Sequence, residues 1–162
     1  MTLLIHGNMH IQVDVEKKNI LIIGWPASGK TFLANKLWKD NPSHKCFHTD
    51  DYMHHGYKEA LYVLMADLKK CKQPTIVEGV QGYRLLRKGA ELDCYYPDIV
   101  IEIEIAYSRM MQTYLEERRG KDPAYLKGFN KMHSKILDDY FNIMKTVQKT
   151  KRPQWIKLKN HY

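Results

Sequence analysis

The chain has no apolar run approaching the roughly 20 residues that a membrane-spanning helix requires. Its start, Met1-Thr2-Leu3-Leu4-Ile5-His6, lacks the charged beginning and long apolar stretch of a secretory signal, so a cytoplasmic location is expected. Cysteine is scarce. Cys46, Cys71 and Cys94 show no CxxC spacing, which favours reduced core thiols over a disulfide framework or a metal site. Internal repeats, low-complexity tracts and interdomain linkers are missing, and 162 residues suit one domain with a real core. Acids are short: 18 Asp and Glu against 26 Lys and Arg leave a net charge of +8. Such an excess fits a nucleotide-handling cleft, a nucleic-acid partner, or merely a solvated basic surface. The lysines are spread along the chain, so charge alone does not decide. With 44% apolar and 27% charged residues, the composition is that of a globular protein.

What is present is more specific. Gly24-Trp25-Pro26-Ala27-Ser28-Gly29-Lys30-Thr31 fits G-x-x-x-x-G-K-[ST], the phosphate-binding P-loop. The apolar run Asn19-Ile20-Leu21-Ile22-Ile23 precedes it and reads as a buried strand; Phe32 to Trp38 follows and reads as a helix. Gly24 and Gly29 are expected to take backbone angles closed to other residues, turning N–H groups, with those of Ala27 and Ser28, around a phosphate. Lys30 is expected to reach the β- and γ-phosphates, and the Thr31 hydroxyl to ligate Mg²⁺.

Residues 2–6 and 10–15 have strand character around Gly7-Asn8, a hairpin turn signal. Further strands are predicted at 45–49, 75–77 ending at Glu78-Gly79, 98–105 and 154–158. Helical spacing covers 57–70, 107–115 and a long stretch from Leu126 to Val147, with Gln73-Pro74 and Gly120 to Pro123 as breaks. Strands alternating with helices imply βαβ crossovers and a parallel sheet, an α/β fold.

Asp50 and Asp51 stand at the carboxyl end of the second of these sheet strands, the edge from which the P-loop opens and where ligands bind in open α/β sheets. A carboxylate there orients or deprotonates an acceptor hydroxyl, or holds Mg²⁺ through water. Adjacent residues on a strand end point opposite ways, so one Asp is expected at the chemistry and the other as a cap. Glu78 ends the next strand, placed for the Mg²⁺ shell or the acceptor. Arg84 and Arg87 follow at helical spacing and suit an anionic substrate, or a solvated helix face.

The P-loop followed by Asp50-Asp51-Tyr52 resembles the P-loop kinase group that includes uridine kinases, zeta-type toxins and polynucleotide 5′-hydroxyl kinases, over about residues 19–122. The resemblance implies a P-loop NTPase fold with a five-stranded, mainly parallel sheet of order 2-3-1-4-5, helices on both faces and the hairpin (within 1–18) ahead of it. It makes Asp50 the base that activates the acceptor hydroxyl and a metal-site residue, and Asp51 a helper. It places an Arg-rich lid at about 116–130, with Arg118 and Arg119 closing over ATP; the lesser alternative for that stretch is a cationic helix end complementing the macrodipole. The Arg that follows the Asp pair in polynucleotide kinases is missing, since Tyr52-Met53-His54-His55 stands there. The hairpin and Ile5-His6-Gly7 faintly resemble the serine kinases of the phosphocarrier protein HPr, though the Arg-rich lid does not.

The expected activity is that of an ATP- and Mg²⁺-dependent phosphotransferase acting on a hydroxyl of a nucleoside, nucleotide or nucleic acid, modified DNA bases included. An NTPase or nucleotide switch with no acceptor is the rival. No Asn-Lys-x-Asp guanine signature occurs, which favours ATP.

Overall fold

The computed structural model describes residues 2–6, 9–106 and 124–160. Two short strands, β1 (Thr2–His6) and β2 (Met9–Val13), pair antiparallel in a two-stranded sheet of their own, with Thr2 opposite Val13 and His6 opposite Met9. The expected turn at Gly7-Asn8 lies outside the described residues. The main sheet contains β3 (Ile20–Gly24), β4 (Lys45–His48), β5 (Thr75–Glu78), β6 (Ile99–Ile105) and β7 (Gln154–Asn160). Its spatial order is β4-β5-β3-β6-β7, all pairs parallel. Counted from β3, that is the order 2-3-1-4-5.

The central strands are largely apolar because both faces are covered. Every residue of β3 and of β5 is buried. Ile20, Ile22, Ile99 and Ile101 pack on Leu33, Ala34 and Leu37 of α1 (Lys30–Asp40). Leu21, Ile23, Val77 and Val100 point the other way, into a core with α2 (Tyr57–Lys70), α3 (Gly82–Glu91) and α4 (Ala124–Met144). The two sets alternate along each strand, as the period of two requires.

Two differences from the sequence reading concern the site. Strand β4 stops at His48, and Thr49–His55 forms a 3₁₀-helix. Asp50 and Asp51 therefore diverge through the roughly 120° step of a three-residue turn, not through strand alternation. Neither caps a helix: His48 precedes the 3₁₀ segment and Gly56 precedes α2, without side-chain cap bonds. The predicted helix at 107–115 and the lid residues Arg118 and Arg119 lie outside the described residues.

Candidate active site

The P-loop joins β3 to α1, and its geometry follows from small residues. Gly29 takes a left-handed conformation (φ 96°, ψ 20°), as does Ala27 (φ 60°). Gly24 is needed for a different reason than expected. Its φ is not positive; a Cβ there would lie 2.6 Å from Ser28 Oγ and 3.0 Å from the Ile103 carbonyl oxygen. Space, not angle, excludes a side chain. Ser28 is fully buried, its N–H donates to the Trp25 carbonyl, and its own carbonyl accepts from Asn160 Nδ2 at 3.0 Å. The end of β7 thus braces the loop across the sheet.

Lys30, the first residue of α1, is only 6% exposed. Its ammonium donates to the Trp25 carbonyl at 2.7 Å and to Ser28 Oγ at 3.4 Å, which holds the charge within the loop's curve. The first N–H groups of α1 and its dipole favour an anion at the same place. Thr31 Oγ1 donates to Glu78 Oε1 at 3.2 Å. The same carboxylate oxygen accepts from His48 Nδ1 at 2.7 Å, because His48 and Glu78 are register partners on β4 and β5. His48 Nε2 in turn faces Cys46 Sγ at 3.8 Å. Burial, together with Glu78 and Asp51, pushes the Cys46 thiol up to about 11, so it stays protonated.

Gly79 follows Glu78 at φ 142°, with its α-carbon against Thr49, the residue before Asp50. A Cβ at Gly79 would overlap the Thr49 hydroxyl. The 3₁₀ segment is held from its other side by Tyr52, whose hydroxyl donates to Asp67 of α2 at 2.6 Å. Burial and that carboxylate raise the Tyr52 pKa well above the phenol range.

These elements surround a cavity of about 210 Å³ lined by Ala27, Gly29, Lys30, Thr31, Phe32, Asp50, Glu78, Gly79 and Val80. Of the residues singled out in the sequence, Lys30, Thr31, Asp50 and Glu78 meet there. Asp51 is exposed and does not line it. Arg84 lies outside it as well. Its guanidinium stacks 3.6 Å from the centre of the Tyr57 ring and donates to the Tyr57 carbonyl and Gln81 Oε1, and burial lowers its pKa. Arg87 pairs with Asp139 of α4 at 3.6 Å, which ties α3 to α4. Trp25 packs edge-on against Phe129 at 6.2 Å, so its ring covers the core beside the loop. His54 and His55 are exposed and lie against each other, ring centres 4.0 Å apart.

Four contributors escaped the sequence reading. His48 was legible only through strand register. Phe32, 62% exposed at the cavity mouth, sits at a position where a helix needs no particular side chain. Asn160 and His133 come from remote parts of the chain. The His133 ring stacks on Phe129 at 3.7 Å and meets Tyr83 at 4.4 Å, beneath the P-loop.

The donor set suits Mg²⁺ bound to a nucleotide. That ion keeps water and phosphate ligands and takes only one or two protein oxygens. Thr31 Oγ1 and Glu78 Oε1 converge at 3.2 Å, with Asp50 on the same cavity. Among the described residues no three His, Cys, Asp or Glu side chains form a protein-only metal cage.

Solved structures share this architecture. Shikimate kinase from Aquifex aeolicus vf5 superposes with a TM-score of 0.55 at 13% identity, over 89% of this chain and 88% of that one. A gluconokinase from Sinorhizobium meliloti 1021 superposes with a TM-score of 0.52 at 12% identity, over 90% and 84%. The fold is the P-loop kinase fold. At such identities the likeness extends to the fold alone. No protein-family model matches the chain, and no curated protein matches it in sequence. Among the described residues no helix is long and apolar enough to cross a membrane.

Proposed function

We propose that the protein is an ATP- and Mg²⁺-dependent kinase that transfers the γ-phosphate to a hydroxyl of a nucleoside, nucleotide or nucleic acid. The observation that carries this reading is the meeting of Lys30, Thr31, Asp50 and Glu78 on one cavity. Lys30 and the loop N–H groups bind the β- and γ-phosphates. Thr31 and the carboxylates beside it hold Mg²⁺, which neutralises charge on the phosphates when bound. Asp50, exposed at the cavity edge, accepts the proton of the acceptor hydroxyl. That oxygen bonds to the γ-phosphorus as the bond to the bridging β–γ oxygen breaks and ADP leaves. Arg118 and Arg119 complete the reading as lid cations that stabilise charge on the transferring group. Asp51, Arg84 and Arg87 are assigned to the acceptor side, Arg84 with the strongest claim because its guanidinium is held rigidly between α2 and α3.

The net charge of +8 favours a nucleic-acid hydroxyl as the second reading of the acceptor. Radiolabelled ATP offered with nucleosides, nucleotides, oligonucleotides and modified DNA tests both. Label is expected in one of these classes, and Lys30→Ala and Asp50→Ala each lower transfer about a hundredfold or more. Asp50→Ala should leave ATP binding intact. Parental transfer by Asp50→Ala would remove the base assignment, and ATP hydrolysis indifferent to every acceptor would replace the kinase with an NTPase.

A further inference from the structure

The cations, spread as they are, are not evenly balanced by acids. After Asp139 the chain contains no Asp or Glu, yet Lys145, Lys149, Lys151, Arg152, Lys157 and Lys159 all follow. The last 23 residues thus hold six of the eight net positive charges. This acid-free segment forms the end of α4, the turn after it and β7.

The same segment encloses a cavity of about 490 Å³ between α4 and the edge of the sheet. Tyr140, Phe141 and Trp155 supply its aromatic wall, with Arg152, Lys157 and Glu102 beside them. Phe141 is 46% exposed, and its ring centre lies 5.2 Å from that of Trp155. The indole is fixed in orientation because its Nε1–H donates to Glu102 at 3.1 Å. Lys157 sits 3.9 Å from the same carboxylate and compensates it. Arg152 is exposed and has no ion pair among the described residues. The cavity is separate from the P-loop. Trp155 pairs with Val100, three residues before Ile103, which pairs with Gly24 at the base of the loop. That is about 10 Å along the strand direction, and β7 lies two strands out from β3.

We propose that this groove binds single-stranded nucleic acid. A base inserts against Phe141 and Trp155, while Arg152 takes a flanking phosphate; Lys151 and Lys157 are held by Asp93 and by Glu102 and Glu104. Aromatic faces joined to a cation that no described carboxylate offsets, here Arg152, are the two parts of a single-strand platform. An acidic peptide offers the charge without the planar faces. A duplex offers the charge while keeping its base faces stacked. The site stands whether or not the phosphoryl acceptor is a nucleic acid, because it needs neither ATP nor the P-loop.

The test is fluorescence anisotropy of a labelled 12-nucleotide oligo-dT with the full chain, without ATP, at 50 and 200 mM NaCl. Binding is expected, weakening steeply with salt as phosphate contacts release counterions. Phe141→Ala should weaken it about fivefold or more, and Trp155→Phe, which keeps a ring, should weaken it less. Arg152→Glu should weaken it at least as much as Phe141→Ala and lower the salt dependence. Lys39→Glu, exposed on α1 on the opposite face, should change affinity less than about twofold. Phe141 and Arg152 are both exposed, so unaltered thermal melting should accompany these losses. The proposal fails if no strand binds at 50 mM salt. It fails equally if polyglutamate or duplex DNA of the same length competes as well as the single strand, or if Phe141→Ala and Arg152→Glu bind like the parent.

Discussion

Glu78 carries two tasks at one oxygen: Oε1 accepts from Thr31 and from His48. Gln can still accept at that position but carries no charge. Glu78→Gln should therefore melt near the parent temperature while transfer falls, with a higher Mg²⁺ concentration needed for half-maximal rate. Equal Mg²⁺ dependence in the two proteins would place Glu78 outside the metal shell. Gly79, next in the chain, is constrained by both angle and space. Gly79→Ala meets a φ of 142° and the side chain of Thr49, and should cost about 2 kcal/mol or more. Thr49→Ala in the same chain removes the overlapping hydroxyl and should recover part of that loss, read by urea unfolding of both singles and the double. Lys30 and Thr31 could be picked out from spacing alone because the P-loop chemistry is local. His48 could not, since what makes it matter is a partner 30 residues away, met only when β4 and β5 fall into register.

At the level of elements, β7 matters beyond closing the sheet. Its last residue, Asn160, donates to the Ser28 carbonyl, and so couples the far edge of the sheet to the phosphate loop. Asn160→Ala should leave the fold intact and weaken ATP binding severalfold, measured by titration calorimetry, because one brace on a strained loop is lost. Unchanged affinity would mean that Ala27 and Gly29 hold their left-handed angles without it. The element pattern itself was largely readable. Tyr57 to Lys70 shows helical spacing and folds as α2, and the apolar run before Gly24 folds as β3. The 3₁₀-helix Thr49–His55 was not readable. Seven residues in a three-per-turn helix are too short to show a period, and their conformation depends on Tyr52 reaching Asp67 and on Gly79 making room for Thr49. The order of the strands came from family likeness; periodicity alone indicates parallel pairing without saying which strand lies beside which.

At the scale of the whole molecule, the P-loop rests on a core that its own charge disfavours protonating. His133 is 4% exposed, stacked on Phe129 and edge-on to Tyr83, with Nδ1–H donating to the Phe129 carbonyl at 2.8 Å. Burial lowers its pKa and the Lys30 ammonium lowers it further, against the opposing effect of the carbonyl bond. In the unfolded chain the imidazole regains its ordinary pKa of about 6.5. The unfolded state therefore binds a proton at a higher pH than the folded state does. The stability this contributes is complete above about pH 6.5 and is lost as pH falls through that value toward the lower folded-state pKa. Melting temperature should accordingly drop between pH 7.5 and 5.5. His133→Phe keeps an aromatic ring between Phe129 and Tyr83 and cannot titrate, so its melting temperature should fall less over the same interval. The other histidines are common to both proteins, and the difference between the two slopes isolates His133. Parallel slopes would show that protonation of His133 does not limit stability, and that the ring beneath Lys30 acts through packing alone.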